Sequence, residues 1–328
     1  MQSSTGLYRF LASRIAGGER VALVTVTDVT GSSVRNPGAQ MAVSENGAYA
    51  GTLSGGCIER AVIAEAQAAI AARAPHRIAY GAGSPIIDIR LPCGGRVDLL
   101  FSPLEGSEGI VDEVLAAHAA RGAVSLRLPT SGGSDARIGE DCATAWDDGG
   151  ATFAVRLPPP LRLVIAGHGG TVEALLALAA PIGATCEVLT PDPDLAARVM
   201  QLGTSPVRVL ETPRDTASIA GDAWTAFTFF FHDHDWEGEL LAHALAQPGF
   251  YIGAMGSRKT HADRLDGLKA RGLSDAQTAR ITAPIGLIPS SRDPETLALS
   301  ALAQVVEQYN VTLAAQQAAL SHCETAGR

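Results

Sequence analysis

An apolar run, a glycine turn and an amphipathic helix follow one another four times in the second half of the chain, and few folds accept that order. The first instance is "LRLVIAGHGGTVEALLALAAPIGATCEVLTPD", residues 161–192: a strand enters a turn at Gly167, a short helix follows, and a second strand comes next. Residues 226–245, 249–268 and 284–309 repeat the strand, turn and helix. Strands that alternate with helices are joined by crossovers, which makes the strands parallel and covers the sheet on both faces. Ligands in such sheets sit beyond the carboxyl ends of the strands. Residues 161–328 are expected to form a Rossmann-like parallel-sheet domain.

Three consecutive prolines, Pro158 to Pro160, precede this block, and a proline run continues neither a helix nor a central strand. They mark a domain boundary. Upstream, "RVALVTVTDVTGSS" opens as a β-branched strand and ends in a turn, while "QMAVSENGAYAGTL" reads as a hairpin turned at Asn46-Gly47. Residues 57–73 have helical periodicity and "RVDLLFSPL" closes the block as a strand. Residues 1–105 are expected to form a small mixed α/β domain. The signal is poorer over 106–160, where a helix around 108–121 and a strand at "AVSLRLP" precede a stretch rich in Gly, Ser and Asp; this reads as a connecting segment. The expected class is α/β, a small mixed domain followed by a Rossmann-like one.

A chain of 328 residues is long enough for two cores. Its formal net charge of -9 argues against a nucleic-acid partner, which would be met with a broad basic face. The N-terminus lacks a basic stretch followed by an uninterrupted apolar run. The most apolar later window, residues 171–189, contains Glu173, Pro181 and Gly183, so neither a signal peptide nor a membrane span is expected. Five cysteines, an odd number in a long chain, fit reduced thiols in the cytoplasm better than a disulfide framework.

Three turns in the second half carry chemistry. In "GHGG", residues 167–170, Gly167 permits the turn, Gly169 permits close backbone approach, and the helix that follows offers amides to an anion. Val172 stands where a third glycine would fall, and the second strand ends at Thr190 instead of an acidic residue for a ribose, which weakens an NAD(P) reading. In "FFFHDHDW", residues 229–236, His232, Asp233, His234 and Asp235 stand at a strand end, where imidazole and carboxylate groups suit a metal or a proton shuttle. Asp233 or Asp235 is equally read as a cap of the next helix, and contact of at least one of the four residues with a ligand is expected from position alone. In "GAMGSRKT", residues 253–260, Gly256, Ser257, Arg258 and Lys259 combine backbone donors, a hydroxyl and two cations, which suits a phosphate; the plainer reading is a helix cap at Ser257 beside two solvated charges.

Two cysteines stand beside glycine pairs: Cys57 after Gly55-Gly56 in "GTLSGGCIE", and Cys93 before Gly94-Gly95 in "PCGG". A thiol in the first turn of a helix is made more acidic by the macrodipole, and thiolates are soft ligands. Flanking glycines leave room for a large planar ligand. A small cysteine in a tight turn is the competing explanation. Cys142, Cys186 and Cys323 have no such neighbours and read as structural.

Together these segments resemble the XdhC/CoxI family, the xanthine dehydrogenase accessory proteins that handle molybdenum cofactor. The resemblance is carried by "TGSSVRNPGAQM", "GTLSGGCIE" and "PCGG" in the first half, and by "IAGHGG", "HDHDWEGELL", "YIGAMGSRKTHADRL" and "PIGLIPSSRDPETLALSALA" in the second. It implies a chaperone without turnover of its own, which binds molybdenum cofactor (molybdopterin), supports its sulfuration with a cysteine desulfurase and inserts it into apo-xanthine dehydrogenase, acting as a homodimer. The implied cofactor-binding positions are Cys57, Cys93, Gly55, Gly56, Gly94, Gly95, Gly167, Gly169, His232, Asp233, Ser257 and Arg258, with Cys93 and Cys57 facing the metal. Val34, Gln40, Thr190 and "IPSS" at 288–291 depart from the family's usual residues. The competing functions are an NAD(P)-dependent oxidoreductase, suggested by "IAGHGG", and a persulfide carrier using the two thiols.

Overall fold

The structure, a computed structural model, describes residues 4–31, 35–53, 58–82, 94–104, 109–131, 136–203, 205–216, 219–232 and 234–326. It divides into two compact units, Gln2–Pro159 with Gln316–Arg328, and Pro160–Ala315. Among the described residues no helix is long and apolar enough to cross a membrane.

The first unit begins with α1 (Ser4–Ala16), β1 (Val21–Thr30), β2 (Gln40–Ser44), β3 (Tyr49–Ala50), α2 (Glu59–Ala72), β4 (His76–Gly81) and β5 (Arg96–Pro103). It continues with α3 (Gly109–Ala119), β6 (Val124–Pro129), β7 (Arg137–Gly139), β8 (Ala145–Trp146) and β9 (Thr152–Leu157). Its main sheet is antiparallel in the order β3-β2-β1-β5-β4. The hairpin at Asn46-Gly47 is present, with Gly47 at φ +80°, where a side chain would be strained.

Successive residues of a strand point to opposite faces, and β1 is buried on both. Val21 and Leu23 enter a core with α1 and α3, while Ala22, Val24 and Val26 enter a second core under α2. The stretch read from the sequence as a connecting segment carries α3 and a second antiparallel sheet, order β7-β6-β9-β8. Leu126, Leu128, Phe153 and Val155 of that sheet share the α1 and α3 core. In the same unit Gln317 accepts from Thr144 N at 3.0 Å and donates to its carbonyl at 3.1 Å, and Gln316 accepts from Arg156.

The second unit holds β10 (Arg162–Gly167), α4 (Gly170–Ala179), β11 (Thr185–Thr190), α5 (Pro193–Leu202), β12 (Val207–Val209), β13 (Thr225–Phe230), α6 (His234–Ala246) and β14 (Tyr251–Ala254). After these come α7 (Arg258–Ala270), α8 (Asp275–Thr278), β15 (Ile281–Thr282) and α9 (Pro294–Ala326), whose last turns from Gln316 fall in the first unit. All six strands are parallel, in the order β12-β11-β10-β13-β14-β15, as the repeated strand-turn-helix pattern requires. Leu163 and Ile165 of β10 face α4, α5 and α9, and Val164 and Ala166 face α6 and α7. One repeat differs from its expected form. "PIGLIP" is a loop, because Pro284 and Pro289 offer no N–H to a ladder and the amides of Gly286 and Ile288 are given to side chains of α9.

His118 ties α3 into the first core: its Nδ1 lies 2.9 Å from Thr5 Oγ1 and its Nε2 3.4 Å from the Leu157 carbonyl. A neutral ring with its proton on Nε2 serves both partners. Burial holds this imidazole below its ordinary pKa; the Leu157 carbonyl opposes the shift and the charge of Arg121 adds to it. The unfolded chain takes up this proton below about pH 6.5 and the folded chain does not, so stability falls as pH drops from there toward the depressed folded value. Urea unfolding at neutral and mildly acid pH should therefore show a smaller acid loss for His118→Gln than for the wild type. An equal loss would remove His118 as the cause.

Candidate functional site

In the first unit, the strand register places the ends of β1, β3 and β4 and the starts of β2 and β5 along one end of the main sheet. The segments carrying "TGSSVRNPGAQ", "GTLSGGCIE" and "PCGG" all leave or enter the sheet there. A Cβ built on Gly31 would lie 3.4 Å from the Gly95 Cα, so the first and third segments touch. Arg35 Nε donates to the Thr52 carbonyl at 3.1 Å, which joins the first to the second.

Glu59 closes the arrangement. Its carboxylate is buried and accepts from the Thr52 hydroxyl at 2.6 Å and Leu53 N at 3.3 Å on one side of residues 54–57, and from Ile58 N at 3.2 Å on the other. A buried carboxylate with several donors is satisfied, and here it staples the two ends of a four-residue segment. Cys57, Gly55, Gly56 and Cys93 lie outside the described residues. Their described neighbours are Ile58 and Gly94, and a Cβ on Gly94 would meet no described residue within 4 Å.

In the second unit the order of strands reverses between β10 and β13, the place where doubly wound sheets open a crevice. Gly167 and Gly169 sit there with His232. At Gly167, φ +155°, an added Cβ would stand 2.6 Å from the Phe230 carbonyl oxygen, so glycine is required for the two strand ends to approach. The first turn of α4 has no side-chain cap. The rings of His168 and His232 face each other at 5.7 Å between centroids, tilted by 43°. Asp233 lies outside the described residues, and among the described ones no group of three or more His, Cys, Asp or Glu is placed to hold a metal. At the end of β11, Thr190 is buried and its hydroxyl accepts from Asp192 N, while the Asp192 carboxylate caps α5 through Asp194 N and Leu195 N.

Ser257 and Arg258 line a separate cleft of about 790 Å³ between the β14–α7 turn and the 284–292 loop, with Arg292 opposite them in sequence and Leu297 of α9 at its side. The Ser257 hydroxyl is the N-cap of α7, accepting from Thr260 N at 3.1 Å, which is the plainer of its two sequence readings. Pro294, two residues past Arg292, packs on the first residue of α4: a Cβ on Gly170 would be 3.4 Å from it.

The turn at the cleft is held from beneath. Arg264 of α7 donates to both oxygens of Glu237 of α6, at 2.9 and 3.1 Å, and to the Met255 carbonyl at 2.6 Å. Both side chains are 2% exposed. The pair fixes α6, α7 and the end of β14 against one another through a bidentate fork. His261 lies 3.4 Å from the same guanidinium and is held below the ordinary imidazole range by burial first and by the Arg264 charge second.

Sequence reasoning named His232, Ser257, Arg258 and the four described glycines of the implied set, Gly94, Gly95, Gly167 and Gly169. It gave no role to His168, the Glu237–Arg264 pair or Arg292, and no loop-holding role to Glu59. His168 was visible inside "GHGG" as the residue between two turn glycines. The others depend on partners 6 to 27 residues away, or on a loop whose apolar letters read as a strand.

Residues 163–305 match the profile of the XdhC Rossmann domain, and residues 14–81 that of the XdhC and CoxI family. The molybdenum cofactor insertion chaperone PaoD of Escherichia coli (strain K12) is 34% identical over 299 residues, 91% of this chain and 86% of that protein. The uncharacterized protein YqeB of the same organism is 25% identical over 291 residues, which cover 88% of this chain and 43% of YqeB. A crystal structure of a Bacillus halodurans protein described as a xanthine dehydrogenase shares the fold, with a TM-score of 0.78 and 22% identity over 94% of this chain and 96% of that one.

Two outcomes are expected from the geometry. Glu237→Ala strands a buried guanidinium and should lower unfolding free energy by about 3 kcal/mol in urea titration; a change below about 1 kcal/mol would show the pair is dispensable. Burial pushes the Cys186 thiol up to about 12, so iodoacetamide at pH 8 should leave Cys186 unmodified in the native protein by peptide mass spectrometry. Rapid labelling of Cys186, which is partly buried against the second unit's core, would contradict the raised thiol.

Proposed function

Because the chain belongs to the XdhC and CoxI family, we propose that it is a molybdenum-cofactor insertion chaperone, which holds the cofactor as cargo and delivers it to an apoenzyme without turnover of its own. The observation that carries this reading is the likeness over nearly the whole chain to the insertion chaperone PaoD. The convergence of three loops at one end of the first unit's main sheet supports it locally, since the two glycine-flanked cysteines belong to two of those loops.

The cargo presents a dithiolene-bound, oxidisable metal, a planar pterin and a phosphate. Cys57 and Cys93 serve as soft thiolate handles toward the metal end. Gly55, Gly56, Gly94 and Gly95 put no side chain beside those thiols, and no described residue lies within 4 Å of a Cβ on Gly94, which favours a planar group there. Glu59 and Arg35 hold the loops in place before the cargo arrives, which lowers the ordering cost of binding. In the second unit Gly167, Gly169, His232 and Asp233 belong to the strand-end crevice, and Ser257 and Arg258 to the cleft. The client is apo-xanthine dehydrogenase, a cysteine desulfurase supplies sulfur for the cofactor, and the working form is a cytoplasmic homodimer.

The test is retention and transfer. Purified protein mixed with molybdenum cofactor and desalted should keep close to one molybdenum per chain and activate apo-xanthine dehydrogenase, while Cys57→Ala or Cys93→Ala should lose at least tenfold in retained metal. If the wild type retains none and activates nothing, the proposal fails. Full retention in both cysteine variants would reject the thiol handles. Saturable binding of a nicotinamide nucleotide together with absent cofactor retention would favour the oxidoreductase instead.

A further inference from the structure

We propose that the cleft between the β14–α7 turn and the 284–292 loop is a binding site for a phosphorylated heterocycle, with Arg258 and Arg292 on the phosphate and Leu287 and Ile288 under the ring. This goes beyond the chaperone reading and does not depend on it.

The cleft, of about 790 Å³, falls within the range of small-molecule sites, roughly 300–1,000 Å³. Among the described residues its two arginine side chains donate to no protein acceptor. In the same unit Arg162, Arg198, Arg264 and Arg271 each sit on a carboxylate, and Arg280 donates to two backbone carbonyls. Among the described residues, Arg258 and Arg292 meet no carboxylate, and they share one concave surface. The nearest acid in sequence, Asp293, is engaged elsewhere: its carboxylate accepts from Thr296 N at 2.7 Å, at the start of α9. Two guanidinium groups from two different elements match the charge and the multiple acceptors of a phosphate dianion better than those of a single carboxylate.

Both walls are built in advance. The turn before Arg258 is held by the bond from Arg264 to the Met255 carbonyl. The loop before Arg292 is held on α9 by Gly286 N to Gln304 Oε1 and Ile288 N to Ser300 Oγ, each 2.7 Å. Ser290, in the same loop, has φ +60°, a conformation costly for a residue other than glycine and kept only where surroundings dictate it. Leu287 and Ile288 nevertheless remain 50% and 46% exposed on this fixed loop. Aliphatic side chains held out of the core in a cleft that also holds two cations suit a ring on one side and its phosphate on the other.

A free nucleotide and the phosphate-bearing end of a pterin cofactor both carry this chemistry, so the experiment separates them. Isothermal titration of the full chain at low salt uses ADP, pyrophosphate and adenosine as probes. ADP should bind one per chain, with adenosine at least tenfold weaker. Arg258→Ala and Arg292→Ala should each weaken ADP roughly tenfold and the double variant should abolish binding, without change in melting temperature because both side chains are exposed. Arg258→Lys should recover only part of the loss, since an ammonium lacks the planar fork. Absence of binding by both ADP and pyrophosphate, adenosine binding as tightly as ADP, or ADP affinity unmoved in the double variant would each overturn the proposal. Adding molybdenum cofactor to the ADP complex assigns the source: displacement supports the cofactor's phosphate end as the occupant, and joint retention supports a separate nucleotide. Failure of the chaperone reading, seen as no retained cofactor, leaves the ADP result standing, so the two are told apart.

Discussion

A carboxylate removed from water must be given donors, because its charge in a low-dielectric interior is otherwise far too costly to keep. In each unit one buried acid meets that demand by drawing on backbone and side-chain donors around a turn. Glu59 gathers Thr52, Leu53 and Ile58, and Glu237 takes both arms of the Arg264 fork while Arg264 also reaches the Met255 carbonyl. The loops that bear the candidate chemistry are thereby shaped by electrostatic necessity in the layer beneath them. At the β14–α7 turn the side chains offered to a ligand can then be few, and their backbone is already held.

The parallel sheet was legible because its strands are buried on both faces and so appear as apolar runs, each entering a glycine or polar turn. The Asn46-Gly47 hairpin was legible from turn chemistry alone. The strands β7 and β8, three and two residues long, are too short to display a period, and β4 is only half-buried and carries His76 and Arg77. "PIGLIP" misled because apolar letters do not reveal where backbone amides will find acceptors; Ser300 and Gln304 supply them from a helix later in the chain.

The candidate site divides in the same manner. Turn glycines and the residues beside them announce themselves locally, and those positions were named from the sequence. The stapling role of Glu59, the facing of His168 and His232, and the approach of Gly31 to Gly95 exist only once strands are paired. Family likeness points to cofactor handling, while the two-arginine cleft is a property of tertiary placement: residues 34 positions apart line it together because β14 and the loop after β15 are neighbours at the same sheet end.

The double burial of β1 bears on how this protein can vary. An amphipathic strand has one permissive parity, so neutral drift accumulates at every second position. From Val21 to Thr27 every residue of β1 is buried, with Val21 and Leu23 committed to one core and Ala22, Val24 and Val26 to the other. Substitutions there have no tolerant register, and a polar replacement at any of those five apolar positions disturbs one of the two cores. The strand's record of descent should therefore lie in exchanges among small and branched apolar side chains, while the exposed residues of α2 and β4 are free to diverge.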